Sequence, residues 1–473
     1  MIQSLLRKGL SLLLVLAMDV SLTTAPLGVQ GESWPQFLGN ETTQGVSDAA
    51  TPVTGEELAL RWEKNTGSSW NDVPGTPIVV GDYVYYYSSQ YLRKLSLKTG
   101  EELAVAQVYG EPVNQFFISI AYGDGKIFVP LQKNNMDDNL DVEGAHFRVF
   151  DAETLRQLYI TEGLGAAQMQ TAVMYHDGYF VTGTYTGGRQ SSGMYVCFDS
   201  EDEDPSSPNE VKKAVWKIDK NMSAPADEQK TYSFCWNGAA FVKDYCYFAS
   251  ADTLWRVKYQ TGEAVSMTIG NDQEQNYASR STVVYNEELN RLYVAVNSDS
   301  GAAVLAYPVK PDGTIDPQNY KDWHSHTKGG GTQSTPVIYN KRLYIGGGGY
   351  TMGSAETFHV VDAVSLEEIY QIPLRTKGSA AISNAYGTEE NNQQVYVYMI
   401  PYAPVDGQSQ LWIISDAQGQ TEPRYEVVSG IGHPQYASQS AIIAKDGALL
   451  WYNDAGYLYC YEKKSMDAAR SPF

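Results

Sequence analysis

Short runs of apolar and aromatic residues, separated by turn-forming residues, recur along the whole chain. The clearest copy runs through residues 76–80, turns at 81–82, continues through 83–87 and 92–97, and closes with a Lys-Thr-Gly-Glu turn at 98–101. Runs of about four to eight residues with β-branched or aromatic side chains, bounded by turn formers, are typical of β-strands in a meander. The pattern predicts an all-β chain of short antiparallel strands.

The same plan returns in seven further copies along the sequence. Each copy opens with a small or hydroxyl residue, passes through a turn and an apolar strand, and ends at a turn of the Asp-Ala-x-Thr or Thr-Gly type. The openings lie roughly 43 to 68 residues apart, comparable with the ~40–50 residues of four-stranded propeller repeats. A linear stack would expose sheet edges at both ends, whereas a ring protects them. The repeat predicts a single eight-bladed β-propeller of four-stranded antiparallel blades. The eight copies open at Thr76, Ser119, Thr171, Gly238, Ser281, Ser334, Ser379 and Ser440.

An aromatic residue marks the predicted fourth strand of several copies. Tyr159 follows Asp151 by eight residues, and Tyr370 stands at the same offset in the sixth copy. The eighth copy ends before this strand, and a matching segment with Trp62 appears instead at residues 59–64. This arrangement predicts that an N-terminal strand completes the last blade. The alternative is that Trp62 packs the start of an ordinary first strand.

The beginning of the chain has the pattern of an export signal. Arg7 and Lys8 precede an apolar run at 10–18, and small or neutral residues follow through Gly31. The apolar run is about half of the ~20 residues that span a bilayer, so the pattern favours a cleaved signal over a retained anchor. We expect export to the cell envelope or to the outside of the cell. The predicted divisions are a signal peptide at 1–31, a leading segment at 32–57 and the propeller at 58–473.

Composition and charge limit the possible partners. The chain of 473 residues has 35 Tyr and 42 Gly with only 19% charged residues, which suits strands and turns better than long surface helices. Its formal net charge of −21 repels a phosphate backbone, so we expect no nucleic-acid partner. The four cysteines form no CxxC pair, which predicts buried thiols, with one disulfide as the alternative in an oxidising compartment. They are Cys197, Cys235, Cys246 and Cys460.

Several segments resemble a known family. Residues 76–80, 95–101 and 335–338 resemble the pyrroloquinoline-quinone repeat, and residues 34–39 resemble the Trp-Pro-Gln-Phe-x-Gly segment at the start of exported propellers of this type. The resemblance covers nearly all of the chain after the signal. It implies the propeller fold, and the same blades serve both quinone-dependent dehydrogenases and non-catalytic members such as an outer-membrane assembly lipoprotein.

The resemblance also implies a role for the fourth-strand aromatic residues, which in this family dock between adjacent blades. Ala104 and Ser266 occupy that position in the first and fourth copies, so we expect looser interfaces there. The residues that match the docking position are Trp62, Tyr159, Trp216, Trp323 and Tyr370.

Two functions follow from the resemblance. A quinone-dependent oxidoreductase of alcohols or sugars would hold pyrroloquinoline quinone (PQQ) with calcium, and such enzymes tend to carry an adjacent cysteine pair in the cofactor pocket. This sequence has no Cys-Cys pair and no CxxCH haem attachment. The favoured hypothesis is therefore a monomeric, exported, non-enzymatic binding or scaffold protein without a cofactor, whose partner is a protein or a cell-surface glycan. The PQQ-dependent oxidoreductase remains the alternative.

One acidic stretch begins like a calcium loop. Asp137, Asn139 and Asp141 place oxygen donors at alternate positions. Val142 stands where the sharp-turn glycine belongs, however, and Arg148 where the bidentate glutamate belongs. The pattern favours a solvated loop in the second blade over a calcium site.

Two further polar segments have a functional and a plain interpretation. His324 and His326 would share one side of an extended segment and offer a metal two imidazoles, but no third ligand is visible, which favours a polar loop between blades.

The acidic, Pro- and Ser-containing stretch at 201–208 predicts a disordered loop tip.

A set of polar residues stands just before the predicted innermost strands. In a propeller these positions line the mouth of the central channel, where amide and guanidinium groups can hydrogen-bond a polar ligand. The alternative is that they bond one another and channel water, which the sequence favours. The set is Gln170, Asn237, Arg280, Gln333 and Gln439.

Overall fold

The computed structural model is almost entirely β. It describes residues 32–67, 74–112, 118–132, 144–165, 167–186, 193–219, 233–271, 276–326, 331–347 and 357–464. Within these ranges the helical structure is one short 3-10 turn at Gly55–Glu57, and none of the described residues form a helix of the length and apolarity that crossing a membrane requires. The strands of the first half are β1 (Glu32–Trp34), β2 (Val46–Ser47), β3 (Leu58–Asn65), β4 (Ile78–Val80), β5 (Tyr83–Ser88), β6 (Tyr91–Ser96), β7 (Glu102–Gln107), β8 (Ala121–Gly123), β9 (Lys126–Leu131), β10 (His146–Asp151), β11 (Gln157–Thr161), β12 (Met174–His176), β13 (Tyr179–Gly183), β14 (Tyr195–Asp199), β15 (Val211–Lys212), β16 (Trp216–Ile218), β17 (Ala240–Val242) and β18 (Tyr245–Ser250). Those of the second half are β19 (Thr253–Lys258), β20 (Ala264–Thr268), β21 (Ala278–Ser279), β22 (Val284–Asn286), β23 (Arg291–Ser298), β24 (Gly301–Pro308), β25 (Lys321–His324), β26 (Val337–Tyr339), β27 (Arg342–Gly346), β28 (Phe358–Asp362), β29 (Glu368–Ile372), β30 (Ala381–Ser383), β31 (Val395–Met399), β32 (Gln410–Asp416), β33 (Arg424–Ser429), β34 (Ile442–Ile443), β35 (Leu449–Asn453) and β36 (Tyr457–Lys463).

The strands form eight four-stranded antiparallel blades, which confirms the predicted propeller. Chain order runs from the innermost to the outermost strand of each blade, as in a meander. Inner strands are covered on both faces by neighbouring blades, so their sequences are continuous apolar runs, whereas outermost strands such as β16 and β29 place exposed residues between buried ones. Blades 1 to 8 are β4–β7, β8–β11, β12–β14 with β16, β17–β20, β22–β25, β26–β29, β30–β33, and β34–β36 with β3.

The first and last parts of the chain close the ring in blade 8. Strand β3 pairs antiparallel with β36, and Trp62 lies opposite Cys460 in this pairing. The indole N–H of Trp62 then donates a hydrogen bond to the carbonyl oxygen of Leu97 in blade 1, at 2.8 Å. The predicted closure by an N-terminal strand is therefore confirmed.

Trp62 and Trp216 dock on the following blade in the same way. Trp216 of blade 3 donates its indole N–H to the carbonyl oxygen of Tyr259 in blade 4, at 2.7 Å. In both cases a Thr-Gly turn of the next blade lies under the indole. A Cβ atom on Gly100 would lie 2.8 Å from the Trp62 ring, and one on Gly262 would lie 2.6 Å from the Trp216 side chain. Glycine is required at these turns both for this contact and for a positive φ.

The other fourth-strand aromatic residues are also buried between blades. The ring of Trp323 meets that of His359 in the next blade edge-on, with centroids 4.8 Å apart. Ala104 and Ser266, which lie on β7 and β20, offer no ring at this position. Tyr159 packs in one cluster with Phe198 of blade 3, and Tyr370 packs in one cluster with Leu411 of blade 7. Within their own blades, Lys212 Nζ lies 5.7 Å from the Tyr159 centroid and the Arg342 guanidinium 5.7 Å from the Tyr370 centroid.

A second set of aromatic residues, which the sequence analysis did not single out, also joins neighbouring blades. Tyrosines at the third position of the second strand donate their hydroxyl groups to the following blade. Their recurrence at the same strand position is the feature of the sequence that could have revealed this role. The hydrogen bonds run from Tyr85 to the Ala152 carbonyl (2.9 Å), from Tyr247 to the Gly313 carbonyl (2.6 Å), from Tyr293 to the Ala363 carbonyl (2.8 Å) and from Tyr344 to the Asp416 carboxylate (2.7 Å).

The leading segment runs around one end of the central channel and touches the blades in order. Innermost strands present backbone N–H groups toward the channel, and these groups need acceptors. The segment supplies them, and a Cβ atom on Gly45 would lie 2.9 Å from Val337 of blade 6. Its other contacts are Trp34 paired with Val79 (blade 1), Pro35 O with Tyr122 N (blade 2), Gln36 Oε1 with Tyr175 N (blade 3), Glu41 O with Phe241 N (blade 4), Thr42 O with Tyr285 N (blade 5), Gly45 O with Ile382 N (blade 7), and Ala50 O beside Gly447 (blade 8).

Phe37 extends from this segment into the channel. Its side chain packs against two separate core clusters, one in blades 3 and 4 and one built mainly from blades 6 to 8 and blade 1. A single ring that meets opposite sides of the propeller lies on its axis. The leading segment therefore closes the end of the channel at which the innermost strands finish, and leaves the other end as the mouth.

Hydroxyl groups surround the channel where the innermost strands begin. The backbone N–H of Thr335 donates to Ser379 Oγ at 2.8 Å, and that of Ser379 donates to Ser440 Oγ at 2.8 Å. Thr282 N likewise donates to Thr335 Oγ1 at 3.2 Å. These bonds join blades 5, 6, 7 and 8 in succession, which accounts for the hydroxyl residues near the openings of those four copies. We call Thr76, Ser119, Thr282, Thr335, Ser379 and Ser440 the hydroxyl ring.

The acidic stretch at 201–208 is ordered, so the predicted disordered loop is wrong. It leads into β15, which pairs parallel to β11 and extends blade 2 by a fifth strand. Buried Lys212 fixes the turn, with its ammonium group 2.5 Å from Asp199 and 3.0 Å from Glu203. The stretch therefore covers the outer edge of blade 2.

The four cysteines are buried free thiols, as expected. Burial raises the pKa of Cys235 and of Cys460 to about 12, so neither thiol ionises near neutral pH. The predicted signal at 1–31 lies outside the described residues.

Candidate functional site

The open end of the channel holds a small cavity, lined by hydroxyl and amide side chains together with the rings of Phe37 and Trp236. The hydroxyl ring and Phe37 form its floor, and the residues just before the innermost strands form its wall. The space open to water molecules is about 60 Å³. A buried water needs roughly 10–15 Å³ on the same scale, so the cavity holds a few waters or a small chemical group.

Two of the five predicted mouth residues line this cavity. Gln439 accepts a hydrogen bond from Thr76 Oγ1 at 2.8 Å. Gln333 also faces the cavity, and its buried Oε1 has no hydrogen-bond partner among the described residues. An unpaired buried amide oxygen is costly unless a ligand or a water supplies the donor, so Gln333 marks a place where a donor belongs.

The other three predicted residues lie near the mouth without lining the cavity. Gln170 accepts from the Tyr185 hydroxyl at 2.6 Å. Buried Asn237 donates to Ser279 Oγ at 3.2 Å. Gln170 Oε1 and Asn237 Nδ2 are thus engaged by other protein groups, whereas Asn237 Oδ1 is buried without a hydrogen-bond partner among the described residues. Exposed Arg280 instead places its guanidinium 5.7 Å from the centroid of the Trp236 ring.

A cationic group at the mouth was missed by the sequence analysis. Lys377 lines the cavity and is only 3% exposed, and its ammonium lies 3.7 Å from the centroid of the Tyr402 ring. The guanidinium of Arg375 lies 4.9 Å from the centroid of the same ring. Arg375 and Lys377 stand at alternate positions shortly before the innermost strand of blade 7, and this spacing could have indicated that both lie at the mouth.

One carboxyl group joins the cations. Asp454 is half-buried, and its Oδ1 has no hydrogen-bond partner among the described residues. Burial raises its pKa to about 7, although the positive charge of Lys377 acts in the opposite direction. The neighbouring Tyr452 hydroxyl is fully buried, which holds its pKa well above the usual value. Asp454 is therefore a carboxyl group that gives up its proton only near neutral pH.

The described charged residues near the mouth are mainly basic, although the protein carries a formal net charge of −21. Arg375 and Lys377 lie over the Tyr402 ring, and Arg280 lies over the Trp236 ring. The charge of Lys377 also acts on Asp454. A local positive potential in an acidic protein concentrates anions at that one place.

The candidate metal ligands do not form a complete site in the described residues. Asp137, Asn139 and Asp141 lie outside the described ranges. His324 and His326 are neighbours with ring centroids 6.1 Å apart, and His324 is engaged by Asp322 at 3.2 Å. Within the ranges that the structure describes, no three His, Cys, Asp or Glu side chains are grouped for a metal ion.

The fold is shared with solved quinoprotein dehydrogenases. The quinohemoprotein alcohol dehydrogenase of Comamonas testosteroni matches 93% of this chain and 82% of its own, with a TM-score of 0.63 and 11% identity. A europium-containing methanol dehydrogenase matches 91% of this chain and 98% of its own, with a TM-score of 0.61 and 12% identity. Comparisons with known protein families and with curated protein sequences found no match. At such low identity the likeness shows the fold and not the chemistry.

PQQ with calcium, which the resemblance in sequence implies for an enzyme, fits the described mouth poorly. Pockets for small organic ligands measure about 300–1,000 Å³, whereas this cavity measures about 60 Å³. Its described lining offers amides, hydroxyls and an ammonium group rather than the several carboxylate oxygens that calcium prefers. The donors present suit an anion better than a cation.

Proposed function

We propose that the protein is an exported, non-enzymatic binding module whose channel mouth recognises a carboxylate group on a protein or a cell-surface glycan. The observation that carries the proposal is that Lys377 and Arg375 both lie over the ring of Tyr402, and that Lys377 lines the same cavity as the amide of Gln333. Ammonium and guanidinium groups bind carboxylates through charge-assisted hydrogen bonds.

The aromatic rings make this arrangement suitable for binding. A cation stacked on a ring loses much of its rotamer freedom before the ligand arrives, so less entropy is lost on binding. The cavity is too small for a whole ligand, which suits recognition of a terminal or side-chain carboxylate of a larger molecule. The acidic remainder of the surface repels the same ligand elsewhere, which favours this one position.

Calorimetric titration of the full chain tests the proposal. The probes are a galacturonic acid trimer and a tetraglutamate peptide, with maltotriose as the uncharged reference. Replacing Lys377 by Met removes the charge and keeps the apolar stem, and we expect affinity for at least one acidic probe to fall by about tenfold, the equivalent of ~1.4 kcal/mol. Lys98→Met, at an exposed turn, is the matched control.

A quinone-dependent oxidoreductase is the second candidate. The likeness in fold to two solved alcohol and methanol dehydrogenases favours it, and so does a carboxyl group with a pKa of about 7 at the mouth. The experiment is reconstitution with PQQ and calcium. Stoichiometric quinone absorbance together with dye-linked oxidation of an alcohol or a sugar would overturn the binding proposal. Failure of both acidic probes to bind, or binding that Lys377→Met leaves unchanged, would also contradict it.

A further inference from the structure

The closed face of the propeller carries a groove much larger than the cavity at the mouth. It measures about 820 Å³, within the roughly 300–1,000 Å³ of small-ligand sites. The leading segment forms one wall. The turns between the first and second strands of blades 5 and 6, together with the nearby parts of blades 7 and 8, form the other.

The groove is lined by side-chain amides that are held in place. Asn384 donates through Nδ2 to the Tyr339 hydroxyl at 3.1 Å, and Asn40 Oδ1 accepts from the backbone of Gln44 at 3.0 Å. Asn340 donates to the Gln393 carbonyl at 3.1 Å. Each amide has two donor hydrogens and two acceptor lone pairs, so these bonds orient the groups and leave further capacity for a ligand. The amide residues of the groove are Asn40, Gln44, Asn286, Asn340 and Asn384.

Tyr339 supplies the aromatic surface of the groove. Its ring is partly buried against the core, and its hydroxyl is fixed by Asn384. A rigid aromatic ring with a polar edge offers flat apolar contact and a hydrogen bond together. A sugar ring has one apolar face and a rim of hydroxyl groups, so Tyr339 and the amides match both of its parts.

The charge of the groove limits the ligand further. Asp48, Glu287 and Glu288 line it, against Lys445 as the one basic residue among its lining. The excess of carboxylates repels phosphate, sulfate and uronic acid groups, whereas carboxylates accept hydrogen bonds from neutral hydroxyls. The groove therefore suits an uncharged polyol.

A second hollow lies across the turn of the leading segment that contains Gly39 and Asn40. It measures about 470 Å³, and Tyr122 and Tyr175 are among its lining. Gly39 and Asn40 border both spaces. Two adjacent hollows with tyrosine in each provide length for several sugar rings rather than one.

We propose that the groove between the leading segment and blades 5 to 8 binds a neutral oligosaccharide. This site is separate from the mouth of the channel, so it stands independently of the carboxylate-binding proposal. Its ligand lies against Tyr339 and is held by the amides of Asn340 and Asn384.

The test is calorimetric titration of the full chain with neutral hexasaccharides of glucose, xylose and mannose. At least one of them is expected to bind. Asp48 is exposed and borders the groove, so Asp48→Trp fills the groove without disturbing the core, and we expect it to weaken binding by at least about tenfold. Asp82→Trp is the matched control, because Asp82 is exposed at the turn between the first and second strands of blade 1 and lines neither the groove nor the second hollow.

A second variant tests the contact with the ring. Tyr339→Ala is expected to lose binding and Tyr339→Phe to keep most of it, while circular dichroism confirms that both fold. Lys377→Met at the mouth should leave neutral sugar binding unchanged, so failure at one site is distinguishable from failure at the other. The proposal is overturned if no hexasaccharide binds, if Asp48→Trp binds as well as Asp82→Trp, or if the groove takes a hexalysine peptide and no sugar.

Discussion

The indole N–H of Trp62 donates a hydrogen bond to the carbonyl oxygen of Leu97 at 2.8 Å and thereby joins the last blade of the ring to the first. Replacing Trp62 by Ala leaves a large gap, and we expect the free energy of unfolding to fall by about 3–5 kcal/mol. Trp62→Phe keeps most of the ring and leaves the carbonyl without its donor, so a smaller loss of about 1–3 kcal/mol is expected. Urea unfolding measures both, with Leu103→Ala on the exposed outer strand as the control. Equal losses for Ala and Phe would contradict the packing role of the ring.

The buried ion pair between Arg342 and Asp416 joins blades 6 and 7. The guanidinium is bidentate, at 2.5 and 2.8 Å, and Tyr344 donates to the same carboxylate. Asp416→Ala leaves the buried charge of Arg342 without its partner, so we expect the free energy of unfolding to fall by about 3–5 kcal/mol. The double variant Arg342→Met with Asp416→Leu removes both charges and should lose less than Asp416→Ala alone. A double variant less stable than the single one would refute this account.

Gly45 holds the leading segment against blades 6 and 7. Its φ is +64°, and a Cβ atom would meet Val337 at 2.9 Å, so alanine is disfavoured both by the backbone and by the neighbour. Gly45→Ala should loosen the leading segment and expose the backbone N–H of Ile382, which now donates a hydrogen bond to Gly45 O. Hydrogen exchange at Ile382 is expected to quicken. Gly407→Ala, at a turn with similar φ and open space, is the control for strain alone.

Protonation of Asp454 makes stability depend on pH. Its pKa rises from 3.8 to about 7 on folding, so between these values the folded state binds more protons than the unfolded state. Stability should therefore fall as the pH rises from about 4 to 7, because the buried carboxylate must ionise. Asp454→Asn removes this contribution, and the difference in stability between pH 4.5 and pH 7.5 should shrink in urea titrations. An unchanged difference would mean that other groups set the pH dependence.

Most of the fold was predictable because its signals are local. Strand alternation, turn residues and the return of the same plan lie within each copy, and Trp62 stood out because it matched a strand that the last copy lacked. The order of residues 201–208 was not predictable, since the stretch leads into β15, which pairs with β11 of the preceding blade.

The mouth and the groove were harder to predict because several blades contribute to each. Lys377 and Asp454 belong to blades 7 and 8, and no spacing in sequence relates them. In the sequence, Asn340 looks like an ordinary turn residue, because asparagine is common in turns. The structure agrees with this, since Asn340 has a φ of +51°. Only the circular arrangement of the blades brings these residues, which are far apart in sequence, to one surface. Of the amides that the sequence did indicate, Gln333 and Gln439 line the cavity, whereas Gln170 and Asn237 bond other protein groups.

The contacts of the leading segment have a consequence for biosynthesis. The leading segment meets Gly447, and β3 pairs with β36, so both segments find these partners only after blade 8 has been synthesised. Contacts of such wide sequence separation slow folding and couple it across the molecule. A chain that terminates early lacks the partners for both segments at once. The ring can therefore close only once blade 8 is present.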